Sequence, residues 1–136
     1  MLKKTALILC LILTLGLGVT TYASAEEAVP MPCFTYIDYV SVGFDINGST
    51  ASASGLISPN GNLHTRISVK LQRLEDGIWK TRKIWNGSDT DGTCSAGGTY
   101  TLTSGYYYRV YVRGSVYDSN GAQLEVHNMT SQTKYY

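Results

Sequence analysis

The chain has 136 residues, a formal charge of +1 and only 15% charged residues. That balance supplies neither the basic excess that holds nucleic acid nor the charge block of a disordered tail. The first 25 residues are expected to leave: removing them takes Lys3 and Lys4 away and leaves 111 residues with 9 basic against 10 acidic side chains, enough for one domain with one core.

Lys3 and Lys4 open the chain, and residues 7–19 are apolar apart from Thr14. Ala23-Ser24-Ala25 is a small-x-small site followed by Glu26-Glu27. This is the pattern of a secretory signal peptide (1–25) cleaved after Ala25. The apolar run falls short of the roughly 20 residues that span a bilayer, and no later run is longer. Cys10 follows Leu9 rather than a small residue, so it is not read as a lipid-attachment site. The expected location is therefore extracellular. Residues 26–32 form a lead-in with two of the three prolines, and 33–136 the domain.

Residues 33–46 alternate, with Val40, Val42, Phe44 and Ile46 on one parity facing a core. Asn47-Gly48 predicts a hairpin with a type I′ turn. Residues 50–57 form a second strand whose small residues Ala51, Ala53 and Gly55 would let an opposing sheet come close. The cluster 58–62 turns the chain. In residues 63–74, Ile67, Val69 and Leu71 point one way and Arg66, Ser68, Lys70 and Gln72 the other. Glu75-Asp76-Gly77 is a tight turn. The strand at 78–85 places Trp79, Thr81, Lys83 and Trp85 on one face, and its cations Lys80, Arg82 and Lys83 suit a sheet edge.

Residues 86–98, rich in Gly, Ser, Thr and Asp, read as a loop carrying Cys94, followed by a short strand at 99–102. The sequence 105–117, GYYYRVYVRGSVY, is the longest clean alternation. Tyr106, Tyr108, Val110, Val112 and Val116 share the core parity; Tyr107, Arg109, Tyr111, Arg113 and Tyr117 share the other. A turn at 118–121 precedes a last strand at 122–129, with Leu124 and Val126 inward and Gln123, Glu125 and His127 outward. No segment has helical periodicity. Short strands at regular spacing predict an all-β, single antiparallel β-sandwich of about seven strands.

Cys33 and Cys94, the two cysteines left after cleavage, are expected to form a disulfide in an exported protein. His64 and His127 lie at outward parities with no nucleophile motif near either, so no catalytic residues are assigned. Ser88-Asp89-Thr90-Asp91-Gly92 has some likeness to a calcium turn, but no bidentate Glu follows at the expected distance. The expectation is no metal and no cofactor. The triplets beginning at Asn47, Asn86 and Asn128 fit glycosylation acceptors or ordinary turn chemistry.

Leu102-x-x-Gly105-x-x-Tyr108-x-Val110-x-Val112 resembles the tyrosine-corner segment of fibronectin type III and immunoglobulin-like domains, with Ser104 where proline is usual. The resemblance implies that the Tyr108 hydroxyl bonds back to nearby backbone. The wider arrangement is similar to a group of small secreted β-sandwich proteins of Gram-positive bacteria without an assigned function. Its carrying features are Phe44-x-Ile46-Asn47-Gly48, Ala51 with Ala53, Val69-Lys70-Leu71-Gln72, Gly77-Ile78-Trp79, Trp85 and the run from Gly105 to Val110. That likeness implies export and an immunoglobulin-like sandwich, and transfers no catalytic residues.

The expected function is a secreted, non-catalytic recognition or adhesion module, monomeric, that binds an extracellular protein or glycan. Its ligand-binding residues would be Tyr107, Arg109, Tyr111 and Arg113, with Trp79 and Trp85 beside them, since Tyr, Trp and Arg supply rigid area with polar tips. The alternative is a diffusible effector such as a toxin, bacteriocin or protease inhibitor acting through the 86–98 loop.

Overall fold

Alternating β-branched and aromatic residues fold into strands separated by Gly- and Asp-bearing turns. The computed structural model describes residues 32–136; the expected signal peptide, its cleavage point and the lead-in up to residue 31 lie outside them. Eight strands follow: β1 (Ile37–Asn47), β2 (Thr50–Pro59), β3 (His64–Glu75), β4 (Ile78–Asp89), β5 (Cys94–Thr101), β6 (Tyr107–Tyr117), β7 (Gln123–Thr130) and the short β8 (Lys134–Tyr135). Among the described residues there is no helix, and so none long and apolar enough to cross a membrane.

The strands make two antiparallel sheets. The smaller has the order β1-β2-β5; the larger runs β4-β3-β6-β7, with β8 also paired to β6. Between sheets, β2 lies against β3 and β6, β5 against β4 and β3, and β1 against β6 and β7. Val40, Ala51, Ala53 and Ile57 of the smaller sheet meet Ile67, Val69, Leu71, Val110, Val112 and Val116 of the larger, all buried. The predicted inward parities of β1, β2, β3 and β6 thus hold. So does the role of the small residues: a Cβ built on Gly55 would stand 2.8 Å from Val69 Cγ2 and 3.0 Å from Val112 Cγ2, both on the opposite sheet.

The turns differ in detail. Asn47 pairs with Thr50, so the central residues are Gly48 and Ser49. Only Gly48 has positive φ, at 59°. That is the pattern of a type II′ turn, with glycine first, rather than the expected type I′. Type I′ geometry occurs between β3 and β4, where Asp76 and Gly77 both have positive φ.

Residues 86–98 are not a loop. Asn86–Asp89 completes β4 and Cys94–Gly98 begins β5, leaving only Thr90–Thr93 as the link. Two of the glycines that suggested a loop, Gly87 and Gly98, serve close packing of the two sheets. The Gly87 Cα faces the Ser95 carbonyl, and a Cβ on Gly98 would meet Trp85 Nε1 at 2.5 Å. Asp89 Oδ1 accepts the Asp91 N–H at 2.8 Å, which fixes the link as an Asx turn.

Two strands show inverted parity where register slips. In β4 the pairing steps from Leu71↔Lys83 to Gln72↔Thr81, leaving Arg82 as the extra residue. Trp85, opposite Val69, packs against the core, whereas Trp79, opposite Leu74, lies on the outer face. The two tryptophans therefore do not share a face, because a bulge exchanges inside for outside. In β7, Glu125, His127 and Met129 pair with Val116, Gly114 and Val112 on the inner side, and Val126 pairs with Ser115 on the outer side. The expectation for Val126, Glu125 and His127 is thus reversed.

The reversal at Glu125 has a physical cause. Its carboxylate accepts the backbone N–H of Thr35 (3.2 Å), Tyr36 (2.7 Å) and Ile37 (2.8 Å). Phe34 stacks edge-on against His127, ring centroids 4.8 Å apart. These contacts draw the start of the domain to β7. The expected Cys33–Cys94 disulfide is accordingly not formed. Cys33 is exposed near β7 at one side of the sandwich, and Cys94 is buried in β5, the edge strand at the other. Both are free thiols. Burial pushes the Cys94 thiol up, with Asp89 adding to the rise against a hydrogen bond from Thr65, which makes it a poor nucleophile.

Candidate functional site

The corner before β6 sets the start of the strand on which the expected site lies. Tyr108 is fully buried. Its hydroxyl donates to the Thr103 carbonyl at 2.8 Å and accepts the Thr103 N–H at 3.1 Å. Gly105, at φ 94°, makes the bend, and the Gly105 N–H donates to the Tyr136 carbonyl at 2.5 Å. With Tyr108 pinned inward, strand alternation sends Tyr107, Arg109, Tyr111, Arg113 and Tyr117 to the outer face of the larger sheet.

Pairing with β3 gives that face its neighbours. Arg66 lies opposite Ser115, Ser68 opposite Arg113, Lys70 opposite Tyr111, and Gln72 opposite Arg109. β4 adds Ser88, Asn86, Ile84 and Thr81 to these rows, and β7 adds Val126, Asn128 and Thr130 to the first three. Arg109 is held in place: its guanidinium lies over the Trp79 ring at 4.3 Å and its Nε donates to Gln72 Oε1 at 2.9 Å. At the opposite end Arg66 lies over the Tyr117 ring at 4.7 Å. Tyr107 is 50% exposed and tilts against the Tyr135 ring, centroids 5.0 Å apart. Arg113 lines an open depression of about 480 Å³ with Arg66, Ser68, Asn86, Ser88 and Ser115.

Of the expected site residues, the structure thus brings together Tyr107, Arg109, Tyr111, Arg113 and Trp79 on one face, and it removes Trp85 to the core. It adds Arg66, Lys70 and Gln72. Their outward parity was visible in the sequence, but their membership of the site depends on β3 and β6 being neighbours. The ion pairs among the described residues lie elsewhere. Arg73 and Lys80 both pair with Glu75, and Lys134 pairs with Asp45 at 3.3 Å. Arg73 also stacks on Tyr106 at 4.2 Å, closing the end of the core. Among the described residues, no three or more His, Cys, Asp or Glu side chains gather in a metal-binding group.

Compared with known proteins, the chain matches no family model and no curated sequence.

Proposed function

We propose that this chain is a secreted, non-catalytic recognition module on an immunoglobulin-like or fibronectin-like scaffold, binding an extracellular protein or glycan through the outer face of its larger sheet. The observation that carries the reading is the Arg109–Trp79 stack beside Tyr111 and Arg113. A guanidinium held over a ring, with only its Nε–H committed to Gln72, leaves its terminal N–H groups for a partner and loses little side-chain freedom on binding. The tyrosine corner at Tyr108 and the three-plus-four order of the long strands support the scaffold assignment. His127 is engaged by Phe34 and His64 sits opposite Tyr117 in the ladder, an arrangement that favours binding over catalysis. The effector alternative loses its displayed loop, since residues 86–98 are mostly strand and only Thr90–Thr93 links them.

The test is capture of a partner, by pull-down or on a glycan array, with the wild type and with Arg109→Ala/Tyr111→Ala. Loss of capture in the double variant is the expected result. A partner held equally well by both proteins would remove this face from consideration.

A further inference from the structure

The cations of the outer face are ordered. Reading along β3 and β6, successive rows contain Arg66 with Ser115, Arg113 with Ser68, Lys70 with Tyr111, and Arg109 with Gln72. Each row holds one cation and one neutral partner, and the cation alternates between the two strands. None of the four is ion-paired within the described residues. The positions that β4 and β7 contribute to these rows are Ser88, Asn86, Ile84, Thr81, Val126, Asn128 and Thr130, so the face has no acid of its own. The acids stand at its two ends: Glu75 and Asp76 at the β3–β4 turn, and Asp89, Asp91 and Asp118 beyond Arg66 and Tyr117.

Resting on the reading of this face as the binding surface, we propose that its partner is a short, extended acidic polypeptide segment with a carboxylate at every second residue. Rows in a strand recur every two residues, about 6.8 Å, so the four cations form a track of about 20 Å. An extended peptide repeats its own side chains on one face at that same interval. Four alternate carboxylates therefore stay in step with the four cations along the whole track. Arg113 and Arg109 offer guanidinium edges to carboxylates, and Tyr111, Ser68 and Gln72 offer hydrogen-bonding groups between them. Glu75 is already paired with Arg73 and Lys80, so the repulsion comes from Asp89, Asp91 and Asp118 at the Arg66 end, and it disfavours long polyanions such as sulfated glycans or single-stranded nucleic acid that would run past the track there.

Fluorescence anisotropy with the purified protein tests the idea. One probe is an octapeptide alternating Thr and Glu; the second has the same composition with four Glu followed by four Thr. A sulfated heparin-type oligosaccharide and an oligodeoxythymidine are the other probes. The alternating peptide should bind about tenfold more tightly than the blocked one, a difference of about 1.4 kcal/mol. Arg66→Gln, Lys70→Gln and Arg113→Gln should each weaken it about two- to fivefold. Lys134→Gln, off this face, should leave it unchanged. Equal binding of the two peptides, tighter binding of either non-peptide polyanion, or indifference to the three face substitutions would overturn the proposal. If neither peptide binds while a captured partner is still lost in Arg109→Ala/Tyr111→Ala, the acidic-peptide inference falls and the binding face stands.

Discussion

Tyr108 and Tyr107 are neighbours with opposite fates, and the contrast is measurable. The Tyr108 hydroxyl closes two hydrogen bonds to Thr103 inside the corner, so Tyr108→Phe should cost about 1–2 kcal/mol by leaving backbone groups without a partner. Tyr107→Phe, on the half-exposed outer face, should change stability by less than about 0.5 kcal/mol. Urea unfolding midpoints of both variants check this, and equal effects would contradict the inward–outward assignment of β6. The two tryptophans give a second contrast. Trp85 packs over Gly98 and the core, so Trp85→Ala should cost about 2–3 kcal/mol. Trp79→Ala should cost clearly less and instead free Arg109. The parity of β6 was legible in the sequence because its alternation is unbroken from Tyr106 to Val112. The parity of the tryptophans was not: Arg82 is the extra residue of a bulge, and a single extra residue exchanges the faces on its two sides without leaving a mark in composition.

Whole elements were legible where side chains declared them and hidden where glycines did. Gly87, Gly97 and Gly98 gave 86–98 the look of a loop, yet they lie in edge strands whose backbones come too near other atoms for a Cβ. The start of β1 shows the converse. Nothing in the alternation of β7 marks Glu125 as a partner for Thr35, Tyr36 and Ile37, because the pairing joins the two ends of the domain. Partial burial pushes the Glu125 carboxyl up, but the amide hydrogen bonds from Tyr36, Thr35 and Ile37 outweigh it and hold the group below its ordinary value of 4.5. A carboxylate with a depressed folded pKa stabilises fully above its unfolded pKa and loses that contribution as pH falls through the folded value. Glu125→Gln should therefore cost about 1–2 kcal/mol at pH 7, and the gap from wild type should shrink below about pH 4. Urea midpoints at pH 7 and pH 3 read this directly; a gap that is constant or wider at pH 3 would show that the charge on Glu125 does not hold the Thr35–Ile37 segment. The acid limb should persist in the variant, since Glu75, hydrogen-bonded by Arg73, and Asp45, hydrogen-bonded by the Ile46 amide and Lys134, are also depressed.

At the scale of the molecule, the spacing between the two sheets connects the sequence of β2 to the outer face, proposed for binding, on the far side of the larger sheet. Gly55 faces Val69 and Val112 with so little bulk that the larger sheet rests nearly on the backbone of β2 there, and Ala51 and Ala53 of the same strand are buried in the core. β3 and β6, whose inner side chains fill this space, are the same strands that carry the zigzag of cations outward. A methyl group at residue 55 should thus act as a wedge. Gly55→Ala puts a Cβ 2.8 Å from Val69 Cγ2, 3.0 Å from Val112 Cγ2 and 3.1 Å from Ile67 Cδ1, which forces neighbours to move and should cost about 1–3 kcal/mol. Part of any loss could instead come from the backbone preference of residue 55 rather than from the opposing sheet. A double-mutant cycle separates the two: Val69→Ala alone opens a cavity and destabilises, but in the Gly55→Ala background it also removes the nearest clash. The combined variant should be more stable than the sum of the single costs by at least about 0.5 kcal/mol, as expected for residues in contact. Strict additivity would mean that the sheets do not meet at Gly55 as described, and that the small-residue strand has some cause other than close approach.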